Sequence, residues 1–96
     1  MKLVISPKAR EDLLEIDKYI GTDNPRAALN FVSRIVERCR LVAQFPGAGR
    51  KRDEIKHGYR SLTQGDYIIL YMVLPEAVEI QRVIHESRNL GNALKD

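Results

Sequence analysis

Apolar residues in the first half of this 96-residue chain recur at the spacing of helices. Ser6 and Pro7 begin the first predicted helix, because serine accepts hydrogen bonds from free N–H groups and proline suits the first helical position. Gly21 ends this helix. Its apolar face is formed by residues spaced four, three and four positions apart: Ala9, Leu13, Ile16 and Ile20.

A second, longer helix follows after a short connection. The run Asp23-Asn24-Pro25 repeats the pattern of a capping residue followed by proline, and the segment 46–49, rich in glycine and proline, stops the helix. Two apolar-faced helices joined by so few residues are predicted to pack as an antiparallel hairpin. The stripe of the second helix is Ala28, Phe31, Val32, Ile35, Cys39 and Val42.

The second half of the chain has the composition of strands. Three strand-like segments, 59–63, 67–73 and 78–85, are separated by turn residues, which predicts an antiparallel meander. Residues 2–5 add a short N-terminal strand. The order β-α-α-β-β-β predicts a single α+β domain over residues 1–96, with the helical hairpin packed on a small, mainly antiparallel sheet. The polar tail, 86–96, is predicted to form one more short helix or to stay loose.

Composition narrows the class of protein only modestly. Sixteen Lys and Arg against thirteen Asp and Glu give a net charge of +3, which suits either a polyanionic target or an acidic partner. Cys39 has no second cysteine to pair with, as expected in a reducing cytoplasm. No signal peptide or membrane span is recognisable, so we expect a soluble cytoplasmic protein. Two histidines and one cysteine form no metal-binding pattern, and we expect no metal or cofactor.

Motifs in both halves carry a family resemblance. In the helical half they are Ser6-Pro7-x-Ala9-x-x-Asp12-Leu13, Asn24-Pro25-x-Ala27-Ala28 and Phe45-Pro46-Gly47-x-Gly49. In the strand half they are Gly58-Tyr59-Arg60, Tyr67-x-Ile69-x-Tyr71 and Arg82-Val83-Ile84-His85-x-x-Arg88. On these motifs the chain resembles the ParE-like toxins of the RelE/ParE superfamily. The resemblance implies the toxin of a type II toxin–antitoxin system, active in growth inhibition and plasmid stabilisation and held inactive by a cognate antitoxin.

The resemblance implies one of two targets. A ParE-like toxin inhibits DNA gyrase by binding it and is not an enzyme, whereas a RelE-like toxin is an endoribonuclease that cuts mRNA on the ribosome. RNA cleavage needs a base, an acid and cations near the phosphate, and here Arg60, Arg82 and His85 would be the catalytic residues. RelE-like nucleases also place a tyrosine in the C-terminal segment, and no tyrosine follows Tyr71. Gyrase inhibition is therefore the preferred hypothesis, and the nuclease is the alternative.

Candidate contact residues fall into two groups. An acidic or amphipathic antitoxin segment is expected to lie in a groove or to add to a strand edge. Its candidate contacts are apolar residues at the edges of the helical stripes: Leu14, Tyr19, Leu41 and Phe45. The candidate target contacts are Arg50, Lys51, Arg52, Arg60, Arg82, His85 and Arg88. The first three form a predicted basic loop, for which a merely solvated loop is the alternative. For His85 the alternative is a hydrogen-bonded structural residue.

Arg82 is the most unusual of these residues. Strict strand alternation places it on the same side as apolar neighbours, where an unpaired cation is unfavourable. Those neighbours are Val78, Ile80 and Ile84. Either a bulge shifts the alternation, or the guanidinium pairs with a carboxylate such as that of Asp12, or the side chain faces the target.

Overall fold

A computed structural model describes residues 1–88 of the chain. It confirms the predicted α+β class, with two helices packed on a five-stranded sheet. Within the described residues, neither helix is long and apolar enough to cross a membrane. In chain order the elements are β1 (Lys2–Ile5), α1 (Pro7–Gly21), α2 (Pro25–Gln44), a 3-10 turn (Pro46–Ala48), β2 (Arg50–Lys51), β3 (Tyr59–Gln64), β4 (Tyr67–Val73) and β5 (Ala77–His85).

Both helices begin as the sequence predicts. The Ser6 hydroxyl accepts a hydrogen bond from the N–H of Ala9 at 3.0 Å, and the Asn24 side chain accepts one from Ala27 at 3.0 Å. Each cap satisfies an N–H group that has no partner within its helix, and a proline follows each cap. These local signals explain why α1 and α2 start where they do.

The strands lie in the order β1-β5-β4-β3-β2, with β1 parallel to β5 and the other neighbours antiparallel. The prediction of a basic loop at residues 50–52 was wrong in part, because Arg50 and Lys51 pair with β3 as an edge strand. A strand of two charged residues is too short to show alternation in the sequence, and charged residues are common at sheet edges.

Apolar side chains cover both faces of the sheet. On one face, Ile69 and Tyr71 of β4 pack with residues of α1 and α2 in the main core. Leu70 lies between them in sequence and therefore points to the opposite face, where it packs with Tyr59 and Ile84 in a smaller cluster. Strand β4 is thus buried on both sides, as its nearly continuous apolar run predicts.

A β-bulge interrupts the pairing of β4 with β5. Ile80 pairs with Tyr71, but the next paired residue of β5 is Arg82, opposite Leu70. Gln81 is therefore an extra residue, and the side chains that follow it exchange faces. After the strand, the N–H of Glu86 bonds to the carbonyl of Asp66 in the β3–β4 turn, and the N–H of Arg88 bonds to the carbonyl of His85. The rest of the segment predicted as a short helix or a loose tail, residues 89–96, lies outside the described residues.

Candidate functional site

Arg82 and Asp12 form a buried ion pair between α1 and β5. Only 7% of Arg82 and 8% of Asp12 is exposed. Arg82 Nε lies 2.8 Å from Asp12 Oδ2, and Arg82 Nη2 lies 3.1 Å from Asp12 Oδ1. The sequence left a bulge and pairing with a carboxylate as alternative explanations for the position of Arg82, and the structure contains both. Two parallel N–H···O bonds fix the orientation of the guanidinium as well as its position.

Asp12 also replaces a missing strand neighbour. Pairing of β1 with β5 ends at Ile80, beyond which β5 has α1 beside it instead of a strand. The N–H of Val83 donates to Asp12 Oδ2 at 2.9 Å, so the carboxylate satisfies a buried backbone donor. One carboxylate therefore joins α1 to β5 through both a side chain and the main chain.

Arg60 and Tyr71 hold the turn that leads from α2 into β2. The Tyr71 hydroxyl donates to the carbonyl of Pro46 and accepts from the N–H of Gly49, both at 2.8 Å, while Arg60 Nη1 donates to the Gly49 carbonyl at 2.8 Å. A Cβ on Gly49 would lie 2.5 Å from the Tyr71 hydroxyl, so the close approach requires glycine. Burial raises the pKa of Tyr71, partly offset by its Gly49 bond and the Arg60 charge.

His85 is hydrogen-bonded at the end of β5. Its Nδ1 accepts from the N–H of Ser87 at 3.1 Å and lies 2.8 Å from the Ser87 hydroxyl. Accepting from an N–H requires an unprotonated Nδ1, which assigns the proton of the neutral ring to Nε2. The imidazole also meets the ring of Tyr67 edge-on, at 5.1 Å between centroids.

An aromatic groove of about 650 Å³ lies beside His85. Phe31 and Tyr67 stand 5.5 Å apart between ring centroids in its wall, and Tyr19 of α1 borders it with 78% of its surface exposed. Burial raises the pKa of Tyr67, and the neighbouring Tyr19 and Asp66 raise it further. The fold thus places one predicted antitoxin contact, Tyr19, next to one predicted target contact, His85.

The other predicted antitoxin contacts lie elsewhere on the helices. Leu14 of α1 is 70% exposed, and Phe45, directly after α2, is 61% exposed. Leu41 is less exposed than either, because it is half-buried. Leu29 of α2, which is not among the predicted antitoxin contacts, is 65% exposed. Large exposed apolar side chains on both helices are the kind of surface that a partner protein covers.

The predicted basic segment is only partly free to meet a target. Arg50 and Lys51 are exposed on β2, but Arg52 is half-buried and donates from Nε to Glu54 Oε2 at 2.8 Å. This hydrogen bond is the largest cause of a lowered pKa for Glu54. Arg88 is exposed at the end of the described chain.

Arg50 and Arg52 also line an arginine cleft that was not predicted as a unit. Its volume is about 330 Å³, and Arg38 of α2 completes the set of three guanidiniums. The other lining residues are Ala48, Ser61, Leu62, Thr63 and Ile68. Arg38 lies outside the apolar stripe of α2, and nothing in the sequence indicates that α2 brings it to the β2–β3 edge.

The three candidate catalytic residues each contact a different part of the structure. Arg60 donates to Gly49 and Arg82 to Asp12, while the His85 ring contacts residues at its own end of the sheet. A nuclease site would bring such groups together around one phosphate. Instead, each of the three side chains is hydrogen-bonded to a different part of the protein itself.

Comparison with known proteins agrees with this architecture. Residues 3–90 match the model of the family described as ParE toxin of type II toxin-antitoxin system, parDE. The chain therefore belongs to the ParE toxin family. It is 30% identical to Toxin ParE1 of Mycobacterium tuberculosis, over 97% of each chain, and 30% identical to Toxin RelE3 of Caulobacter vibrioides, over 84% of this chain and 89% of the relative.

Solved structures show the same fold. A chain of the chromosomal ParDE TA system from P. aeruginosa superposes with a TM-score of 0.75 at 30% identity, covering 88% of this chain and 95% of that one. A chain of the toxin-antitoxin complex RelBE2 from Mycobacterium tuberculosis gives 0.62 at 24% identity, with the same coverage. The relatives carry both ParE and RelE names, so they define this chain as a type II toxin without specifying its target.

Proposed function

We propose that this toxin inhibits DNA gyrase by binding it, without catalysis, and that a cognate antitoxin neutralises it. The family match to ParE supports the choice of target. The observation that carries the non-catalytic assignment is the buried ion pair, because it commits the Arg82 guanidinium to Asp12 instead of to a scissile phosphate.

The remaining candidate catalytic groups support the same proposal. Arg60 is bonded to the turn at Gly49, and His85 Nδ1 already accepts from Ser87. No tyrosine follows Tyr71 in the sequence. Loss of one proton-transfer group typically lowers a rate by about 10²- to 10⁴-fold, so a nuclease built from these residues would be weak.

The candidate target contacts differ in how far their side chains are exposed. Arg50, Lys51 and Arg88 are exposed, and we assign the direct contacts to them. The half-buried Arg52, Arg60 and His85 and the buried Arg82 then act mainly as scaffold. An exposed cation contributes through charge complementarity and association rate, which makes its contribution sensitive to salt.

The antitoxin is proposed on the strength of the relatives and of the exposed apolar side chains. Solved relatives come from a toxin–antitoxin system and a toxin–antitoxin complex. Leu14, Tyr19 and Phe45 are all more than half exposed, and covering them would release water from apolar surface. A partner bound over these residues would stabilise the toxin and keep it from its target.

A supercoiling assay with purified gyrase tests the target. We expect the toxin to inhibit supercoiling or to trap cleaved DNA, and we expect Arg50→Glu with Lys51→Glu to weaken inhibition. Arg34→Glu, an exposed α2 arginine outside the cleft, is the matched control. No effect of the wild-type toxin on gyrase at micromolar concentration would refute the proposal. Codon-specific mRNA cuts that His85→Ala abolishes would support the nuclease instead.

Expression of the toxin with and without the neighbouring reading frame tests the antitoxin. We expect growth inhibition by the toxin alone and rescue when the neighbour is present. Tyr19→Ala and Leu14→Ser should weaken co-purification of the two proteins, whereas Glu37→Ala, on an exposed polar position of α2, should not. Equal growth with and without the neighbour would contradict neutralisation.

A further inference from the structure

We infer that the aromatic groove beside His85 binds an arginine side chain that a partner protein presents. The inference goes beyond the proposed function, because it names a cation-binding site and depends neither on gyrase as the target nor on neutralisation. It rests on the aromatic walls of the groove, on the carboxylate of Asp66 at its rim and on the charge of the residues around it.

The walls of the groove are aromatic and are held in place by packing. Three of the six tyrosine and phenylalanine residues of the chain line it: Tyr19, Phe31 and Tyr67. The Tyr67 ring packs against Phe31 at 5.5 Å and against the His85 imidazole at 5.1 Å between centroids. Gly65 allows the β3–β4 turn to lie close to the Phe31 ring, since a Cβ here would be only 3.1 Å from Phe31 Cε1. The groove is therefore formed before a partner binds.

Asp66 places a carboxylate beside these rings. Its carbonyl accepts from the N–H of Glu86 at 2.8 Å, which joins the β3–β4 turn to the end of β5. Its exposed side chain lines the groove and forms no ion pair with any other residue between 1 and 88. After burial and the neighbouring Tyr19, the Asp66 charge contributes to the raised pKa of Tyr67, so this carboxylate acts electrostatically on the groove wall. It is available to pair with a cation from outside.

The charge around the groove also favours a cation. None of the eight described residues that line it is a lysine or an arginine. An adjoining cleft of about 240 Å³ shares three of these residues and adds the exposed carboxylate of Glu15. Asp12 lines this cleft too but is paired with Arg82, and the one unburied cation there is Arg88. The groove thus has the opposite charge to the arginine cleft, although the chain carries a net charge of +3.

Arginine matches this combination of surfaces better than other side chains do. Its planar guanidinium stacks on aromatic rings and pairs with a carboxylate, whereas the ammonium of lysine is compact and more strongly hydrated. The aliphatic stem of arginine would pack on apolar surface such as that of Ile20. A purely apolar side chain would cover the Asp66 carboxylate without giving it a partner, which is unfavourable. An acidic side chain or a nucleic-acid phosphate would be repelled by Asp66.

Titration of the purified full-length toxin with N-acetylarginine amide tests the inference. Two-dimensional NMR of the backbone amides gives both the place of binding and the Kd. The matched probe is N-acetylcitrulline amide, which keeps the shape of arginine and lacks its charge. We expect the arginine probe to shift the amide signals of Gly65, Asp66 and Tyr67, with a Kd about tenfold lower than that of the citrulline probe.

Two variants separate the carboxylate from the aromatic ring. Asp66→Asn and Tyr19→Leu should each raise the Kd of the arginine probe about threefold, and together these losses account for the tenfold preference. Asp17→Asn, which removes an exposed α1 carboxylate outside the groove and the adjoining cleft, is the matched control and should leave the Kd unchanged. The dispersion of the amide signals shows whether each variant is folded. If Asp66→Asn is not, added salt replaces it, because salt should weaken binding of the arginine probe alone.

The outcomes that contradict the inference are distinct from those of the gyrase assay. Equal Kd values for the arginine and citrulline probes, equal effects of Asp66→Asn and Asp17→Asn, or signal shifts that fall outside the groove would each overturn it. Tighter binding of N-acetylnorleucine amide than of the arginine probe would assign the groove to an apolar side chain instead. Neither gyrase inhibition nor growth is measured, so the proposed function stands or falls on its own assays.

Discussion

Replacing Asp12 with alanine is the most direct test of how this fold is held together. The carboxylate accepts three hydrogen bonds, two from the Arg82 guanidinium and one from the N–H of Val83. The substitution leaves the guanidinium without this counter-ion in a site where only 7% of the residue is exposed. It also leaves a buried backbone donor unsatisfied, since β1 does not extend to Val83.

The expected loss in the free energy of unfolding is large for a chain of this size. Removing one partner of a buried ion pair costs about 3–5 kcal/mol, and leaving a buried N–H unpaired is part of that loss. Domains have free energies of unfolding of about 5–15 kcal/mol in total, so Asp12→Ala should remove roughly a fifth of the stability or more. The melting temperature should fall by roughly 12 °C or more, at about 4–8 °C per kcal/mol in a domain of this length.

Urea titration followed by far-UV circular dichroism measures this loss. The control is Glu11→Ala, the adjacent residue of α1, whose contact with Lys8 is a surface pair at 3.8 Å expected to contribute less than about 1 kcal/mol. Arg82→Met and the double variant with Asp12→Ala complete a double-mutant cycle. The double variant should lose clearly less than the sum of the singles, because it buries neither charge of the pair. Additive effects, or a loss below about 1 kcal/mol for Asp12→Ala, would refute the structural role.

Three further predictions concern the buried groups around α2. Tyr71→Phe should lower the free energy of unfolding, measured by urea titration, by about 1–3 kcal/mol, because the Pro46 carbonyl and the Gly49 N–H both lose the hydroxyl that bonds to them. An unchanged midpoint would argue against a stabilising role for these two hydrogen bonds. Gly49→Ala should also lower the free energy of unfolding by about 1–3 kcal/mol, since its Cβ would clash with the Tyr71 hydroxyl. The loss in the double variant should be smaller than the sum of the two single losses. Burial raises the pKa of Cys39 to about 11, so the folded thiol keeps a proton that the unfolded thiol loses near pH 9. Stability should therefore fall from about pH 9 to about pH 11, by about 2–3 kcal/mol more in the wild type than in Cys39→Ala.

Local sequence determined the helical half of the protein and the fold class. The caps at Ser6 and Asn24 act on N–H groups three residues away, and the apolar stripes repeat within one or two helical turns. Interactions over such short separations are legible in the sequence without knowledge of the rest of the chain. The nearly continuous apolar run of β4 likewise indicates a central strand, because a strand that is buried on both faces has apolar side chains at successive positions.

The tertiary structure decided which cations are free and which are part of the scaffold. Arg82 meets Asp12 across 70 residues of sequence, and Arg38 meets Thr63 across 25. Contacts at such long sequence separations leave no repeating pattern in the sequence. They depend on how α1 and α2 dock on the sheet and on where the bulge at Gln81 falls. A one-residue bulge changes the face of every side chain after it, so residue identity alone could not assign Arg82 to an ion pair or to a target surface. The sequence determined that the C-terminal strands carry cations, and the packing of distant elements decided what each one contacts.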